Sequence, residues 1–423
     1  MKRICMTMLF VALLVTSAVA LTACGSSSSS SSSSSESSES TGSEANATAE
    51  GGEEEATEES GEEEGGEEEG GEEEGGGAYP ASFTPSIEEA KKPPTEWKGP
   101  TASPAFKKNM LVYSIPCSKV AEGCVRVNDG IKAAAEKMGW QFKSINPEGD
   151  VGRSGAAIEE ATNAGADIIF DIAIDPSLVS GPIKKARQAG ITVMCASCAA
   201  PESDVGPNKL SGQVGLDAVE QGQLMAAFLA VESEGSAKVA FLDDPEFGVV
   251  NARVEGFKPA LEECGGCEIV AESKFTAAEI TTSLAQKTQS FLQSNPSAEY
   301  IWVPYDSAAG PVVQAVSETG SQVKVVAFDG NVPNIQYVAE GKQLATIGSA
   351  LEWTGWAAVD DANRLLNGEE ELPEPGIPNI LITEEDAAEY TKEGFQGDAD
   401  YQAKYVELWE SGKTDSSLKS EGP

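Results

Sequence analysis

From residue 107 onward the chain keeps one rhythm, a short apolar run rich in β-branched residues followed by a stretch of helical periodicity. MLVYSI (110–115) precedes a helix near 125–138, WQFKSIN (140–146) one at 153–164, and ADIIFDIAI (166–174) one over 176–189, before TVMCA (192–196). The plan then repeats: KVAFLDD (238–244), a helix over 249–263, EIVAES (268–273), a helix over 279–293, YIWVPYD (300–306), a helix over 308–319 and KVVAFDG (324–330). Strands that are apolar along nearly their whole length are buried on both faces, which calls for parallel sheets covered by helices. About 310 residues in two such halves exceed what one core sustains, so an α/β fold of two Rossmann-like lobes is predicted.

Ligands on such sheets bind beyond the carboxyl ends of the strands. Those ends carry polar residues here: Tyr113-Ser114, Asp175-Pro176, Ser197 between two cysteines, Asp243-Asp244, Tyr305-Asp306 and Asp329-Gly330. Asp and Ser at such places also cap the following helix, a reading that suits Asp306 and is even with ligand contact for Asp175.

The chemistry available is narrow. There is no histidine, so a Ser-His-Asp triad, a Cys-His pair or a His-ligated metal is excluded. No GxGxxG follows a strand, and neither a P-loop nor an EF-hand loop appears. No cofactor and no metal are expected. The net charge of −40 argues against nucleic acid as a partner. Nearly half of it comes from the 18 Glu of residues 25–78, a Ser-rich and then Gly/Glu-repeat tract without Lys or Arg. Such a tract has almost no apolar surface to bury and is expected to be an extended, disordered spacer.

Before it, MKRICMTMLFVALLVTSAVALTAC has the basic start, apolar run and small residues of a secretory signal. Its end, Leu21-Thr22-Ala23-Cys24, resembles the lipobox of bacterial lipoproteins, which implies cleavage after residue 23, lipid on Cys24 and attachment to the outer face of the cell membrane. Residues 24–106 then read as a tether with a Pro-rich lead-in.

From about Lys107 to Thr383 the chain resembles the ribose-binding-like branch of type I periplasmic binding proteins, the solute receptors of ABC importers. NDGIKAAAEKMGW, EEATNAGADIIFDIAIDPSLVSGPIKKARQAGITV, NARVEGF, VAFDG and ALEWTGWAAVDDANRLLNGE carry the likeness by their order and spacing. The resemblance implies two lobes joined by three hinge crossings that close on a solute. One lobe would hold 107–216 plus 351–378 and the other 217–350 plus 379–423, with crossings near Gly215–Asp217, Ser349–Glu352 and Gly376–Asn379. It also implies the ligand contacts. Arg253 aligns with the family arginine and Asp329 with the carboxylate that accepts from hydroxyls. Asp175 aligns with an Asn/Asp contact, Tyr305 with the usual Asn and Ser349 with the usual Gln. Ser114 and Asp306 at strand ends complete the polar set, and Phe247, Phe275, Tyr305 and Trp353 are the aromatics available as apolar faces. Two departures stand out. Ser197 and Cys198 replace an Asp-Arg pair that grips ring hydroxyls, and CSKVAEGCVRVNDG lacks the aromatics that stack on the sugar, so the ligand need not be the family's usual pentose or hexose.

Once Cys5 and Cys24 are set aside, six cysteines remain in close pairs, Cys117/Cys124, Cys195/Cys198 and Cys264/Cys267. Outside the cytoplasm an even number in local pairs fits three disulfides. Cross-bridging between the first two pairs remains open, and zinc held by those four cysteines, or redox chemistry at Cys195-x-x-Cys198, are the lesser alternatives. Cys264-Gly-Gly-Cys267 falls between a helix and the next strand, where a short bridge would fix a turn. The expected protein is a monomeric, non-catalytic, lipid-anchored receptor that captures a small polar, sugar-like solute and presents it to an ABC permease. The alternatives are a ligand sensor of the same fold feeding a membrane signalling protein, and a surface hydrolase using Asp243 and Asp244. The last is disfavoured, because glycosidase carboxylates face each other across a substrate.

Overall fold

The computed structural model describes residues 78–372, 374–397 and 400–413; the signal, Cys24 and the acidic tract lie outside the described residues. Two sheets form the body. The first comprises β1 (Leu111–Pro116), β2 (Gln141–Ser144), β3 (Ile168–Ile172), β4 (Thr192–Ala196) and β5 (Gly212–Val214), in the order β2-β1-β3-β4-β5 and wholly parallel. The second comprises β6 (Lys238–Asp243), β7 (Glu268–Lys274), β8 (Tyr300–Trp302), β9 (Lys324–Asp329), β10 (Ala345–Ser349) and β11 (Asn379–Thr383). Its order is β11-β10-β9-β8-β6-β7, with β11 alone antiparallel. Every residue of β3 and β4 is buried, as helices on both faces require, whereas β2 and β7 at the edges stay largely open.

The helices are α1 (Phe83–Ala90), α2 (Glu122–Lys137), α3 (Val151–Asn163), α4 (Ser180–Gln188), α5 (Ala218–Glu232) and α6 (Gly248–Glu262). Then come α7 (Leu284–Ser294), α8 (Asp306–Thr319), α9 (Val332–Ala339), α10 (Leu351–Leu366), α11 (Ala387–Tyr390) and α12 (Tyr401–Ser411). Local chemistry moves some boundaries from their expected places. β8 stops at Trp302, since Pro304 cannot donate to a ladder. Residues 277–279 form a separate turn in which Thr276 and Glu279 make a reciprocal cap, so α7 starts five residues later than expected. Two helix pairs cross at glycines. A Cβ on Gly130 of α2 would collide with the Glu352 carbonyl of α10, and one on Gly256 of α6 with the Val219 carbonyl of α5.

The chain leaves the first sheet after β5 for α5, returns after β10 into α10, which packs on α2, β4 and β5, and crosses again to β11. Two segments depart from the expected layout. Residues 78–106, read as the end of a tether, fold onto the body. α1 lies on α5 and β11 of the second lobe, Trp97 stacks on Trp353 at 5.2 Å, and Ser103 Oγ donates to Asp360 of α10. The tail, expected wholly in the second lobe, divides, and only β11 joins that sheet. α12 packs on α10, where Trp409 Nε1 donates to Asp360 at 2.7 Å and its ring stacks on Trp356 at 5.4 Å. A buried carboxylate needs several partners, and Asp360 draws them from both ends of the described chain.

Candidate functional site: a closed cleft between the lobes

The carboxyl ends of β1, β3 and β4 face those of β6, β8 and β9 across a cavity of about 60 Å³. At roughly 10–15 Å³ per water by that measure, it is room for about four to six waters. Ser197 lines it from the first lobe, and Phe247, Arg253, Tyr305, Ser307 and Asp329 from the second.

Asp329 and Arg253 are its charged centre. Arg253 Nη2 donates to Asp329 Oδ1 at 3.0 Å, Nη1 to the Pro304 carbonyl at 2.7 Å and Nε to Gln221 Oε1 at 2.9 Å. The guanidinium also lies over the Phe328 ring, 4.7 Å from its centroid. Only 2 % of Arg253 is exposed, so its fork is fixed before any solute arrives. Burial raises the Asp329 pKa, opposed by the Arg253 charge. Tyr305 donates its hydroxyl to Asp244 Oδ2 at 2.6 Å. Burial pushes Asp244 up to about 7 and Tyr305 well above its ordinary value.

Backbone strain gathers here. Ala173, Ser197, Ala199 and Asp329 all line the cavity with positive φ, at 68°, 59°, 47° and 104°. Non-glycine residues avoid this region, and such outliers collect at binding sites.

The lobes touch around the cavity. Ile174 and Phe247 form an antiparallel bridge between them, and a Cβ on Gly248 would strike the Cys198 carbonyl. The Glu122 amide donates to Ser307 Oγ at 2.9 Å. Arg126 of α2 crosses further, donating to the carbonyls of Asp329, Gly330, Ser349 and Phe395 while pairing with Glu352 through both carboxylate oxygens at 3.0 Å. Sequence pattern alone does not anticipate Arg126 and Glu122. The available signal was a charge on the buried stripe of α2, in line with Gly130.

Of the ligand contacts proposed from sequence, Ser197, Phe247, Arg253, Tyr305 and Asp329 come together at the cavity; the others do not line it. Asp175 accepts from the Ser177 amide at 2.8 Å, ordering the turn before α4. Asp306 does not cap α8. Its carboxyl is fully buried beneath the site, against the Asn331 amide, Thr346 Oγ1 and Gln343 Nε2, and burial raises it to about 8. Ser349 bonds with Gln221 and Asn379 at the crossing, and Ser114 is buried within β1. Phe275 packs behind Tyr305, with centroids 6.0 Å apart, and Trp353 lies between Trp97 and Tyr401, away from the cleft. Asp243 pairs with Lys274 at 3.4 Å while Asp244 bonds to Tyr305, so the adjacent carboxylates do not work toward one point.

The cysteines stand in three local pairs, Cys117/Cys124, Cys195/Cys198 and Cys264/Cys267, with Cα separations of 6.0, 5.8 and 5.3 Å, within reach of a bridge. They do not share one place. Cys117 and Cys124 line the cavity, and Cys195 and Cys198 are buried at the end of β4. Cys264 and Cys267 do not belong to the site. They flank the turn from α6 to β7, where the Cys267 amide donates to the Cys264 carbonyl at 3.1 Å. Cys264 is buried there, whereas Cys267 is only half-buried. The physical reason is chain geometry, since this turn follows the carboxyl end of α6 and leads into the amino end of β7, opposite the strand ends that frame the cavity. Cys264 and Cys267 therefore mark a turn apart from the cleft, between a helix and the next strand where the sequence places them.

A family profile described as periplasmic binding protein domain matches residues 112–370. The chain is 23 % identical over 292 residues to the ribose import binding protein of Bacillus subtilis, spanning 69 % of this chain and 92 % of that protein. It is 25 % identical over 253 residues to the Escherichia coli protein of the same name, spanning 58 % and 81 %. Among solved structures, a 5-methylthioribose transporter solute-binding protein from Thermotoga lettingae superposes with a TM-score of 0.60 at 21 % identity, covering 73 % of this chain and 96 % of the other. A Mycobacterium smegmatis protein bound to β-D-fucofuranose gives 0.60 at 19 % identity, covering 71 % and 98 %.

Proposed function

Since the chain belongs to the periplasmic binding protein family, we propose that it captures a small polar, sugar-like solute between its lobes outside the cytoplasm and delivers it to an ABC permease. The observation that carries this reading is the cavity where the strand ends of both lobes meet, with Arg253 and Asp329 fixed against each other at 3.0 Å on its wall. A guanidinium fork and an acceptor-only carboxylate are a matched pair for neighbouring hydroxyls. A solute contacting Ser197 from one side and Arg253 from the other binds the closed form better than the open one, so its binding energy drives closure. The same reading has Cys24 lipidated, the six remaining cysteines joined as three local disulfides, and the protein acting as a monomer without catalysis.

A thermal-shift screen of sugars, polyols, nucleosides and amino acids tests it. A stabilising sugar-like ligand is expected, adding about 2.7 kcal/mol at a hundred times its Kd. No stabilising ligand, together with turnover of a glycoside, would overturn the receptor reading. Thiol counting on the exported protein is expected to find no reactive cysteine; six reactive thiols would remove the disulfides.

A further inference from the structure

The two walls of the cavity differ in kind. The second lobe brings nearly all the hydrogen-bonding capacity: Arg253, Tyr305, Ser307 and Asp329. The first lobe presents Cys117, Cys124, Val127, Ile172 and Ala173, while the second adds Phe247, Val249 and Val250 to its polar set. Among the described residues, Ser197 is the one first-lobe side chain on this wall able to make a conventional hydrogen bond. Its Oγ is buried and has no partner in the protein, which reserves it for one ligand hydroxyl. The two charged residues that line the cavity, Arg253 and Asp329, pair with each other, so a neutral solute suits it.

We infer that the solute is amphipathic, a small neutral sugar derivative that turns its hydroxyls to the second lobe and a deoxygenated or O-alkylated edge to the first. This rests on the solute-receptor reading above and narrows its ligand class. The reason is desolvation. A hydroxyl pressed onto the Cys117/Cys124, Ile172 and Ala173 wall gives up its water and gains no partner, losing roughly tenfold or more in affinity. A methyl or methylene in its place gains contact instead. The cavity of about 60 Å³ favours the deoxygenated form further, since each removed oxygen lowers the opening needed to admit the ring.

Titration calorimetry with two matched pairs tests the inference: D-ribose with 5-deoxy-D-ribose, and D-glucose with 6-deoxy-D-glucose, together with methyl β-D-ribofuranoside. The deoxy or methylated member is expected to bind at least tenfold tighter than its parent. A parent that binds equally or better overturns the amphipathic assignment and leaves the receptor reading standing. If none of the five binds, the amphipathic-sugar assignment is overturned, and the broader thermal-shift screen decides the receptor reading on its own. Two variants localise the effect. Val127→Thr puts a hydroxyl on the wall at nearly constant shape, and Ala173→Asn adds an amide that tolerates the left-handed backbone there. Either is expected to cut the deoxy preference about tenfold; an unchanged preference in a folded Val127→Thr protein overturns the role of this wall.

Discussion

Arg126 Nη1 donates to the main-chain oxygen of Asp329 across 3.0 Å, although Arg126 belongs to α2 of the first lobe and Asp329 ends β9 of the second. The carbonyl it holds belongs to the residue whose φ of 104° is the most strained of the cavity wall. Charge-assisted bonds to several carbonyls at once can offset such strain. The guanidinium therefore serves two ends, fixing the peptide that aims the Asp329 carboxylate and tying one lobe to the other.

Arg126→Ala removes that tie. Hydrogen bonds to a charged group are worth about 1.5–3 kcal/mol each, so the ligand-free protein is expected to open, visible as a larger radius of gyration in solution scattering. Affinity for its best ligand falls about ten- to hundredfold as the closed population shrinks. Unchanged scattering and affinity would show that closure does not depend on Arg126.

Arg253 is as much scaffold as ligand contact. Arg253→Ala leaves the Asp329 carboxylate buried without its partner, a change that typically costs about 3–5 kcal/mol. A marked fall in Tm accompanies the loss of binding. Adding Asp329→Asn to Arg253→Ala recovers part of the stability but none of the binding, and thermal unfolding of the three proteins checks this. Strictly additive losses would mean that the two side chains act independently.

The buried carboxyls set the pH response. Burial raises Asp306 and Asp171 to about 8 and Asp244 to about 7. These groups ionise near 4 in the unfolded chain, so between about pH 4 and 8 the native state holds more protons. Stability therefore falls as pH rises through that window. Tm is expected to decline from pH 5 to pH 8, and Asp306→Asn to flatten the decline. A Tm that rises over this range, or an unaltered slope in Asp306→Asn, contradicts the assignment.

Trp97 pins the lead-in segment. Its ring is stacked 5.2 Å from Trp353 and meets Tyr405 edge-on at 5.5 Å. Trp97→Ala is expected to cost about 3 kcal/mol, the low end for aromatic truncations in packed cores, because the ring is half-buried. Denaturant unfolding measures it, and a cost below about 0.5 kcal/mol would mark the segment as loosely attached.

The strands of both sheet centres were legible because burial on two faces leaves a plain mark, as in ADIIFDIAI and KVVAFDG. The short β5, Gly212–Val214, leaves none. The lead-in escaped because prolines, lysines and glutamates dominate it, and its few anchors, Phe83, Ile87 and Trp97, are too sparse for periodicity to register. The cavity was half legible. Asp329 stands at a strand end where pattern points and Arg253 is reached through the family resemblance, but the role of Arg126 depends on carbonyls of three distant segments, which no local spacing encodes. Asp306 shows the converse, since a residue placed where caps occur spends its carboxyl on Asn331 and Thr346 instead.

The docking of α1 fixes a load path. Ala78 accepts from the Gly265 amide at 3.2 Å, and α1 lies along α5 and β11, so whatever precedes residue 78 pulls on the second lobe and not on the crossings. If the chain is anchored ahead of residue 78, as proposed, the first lobe is the arm that swings when the cleft opens, and a probe on α3 or α4 travels farther than one on α7 or α8.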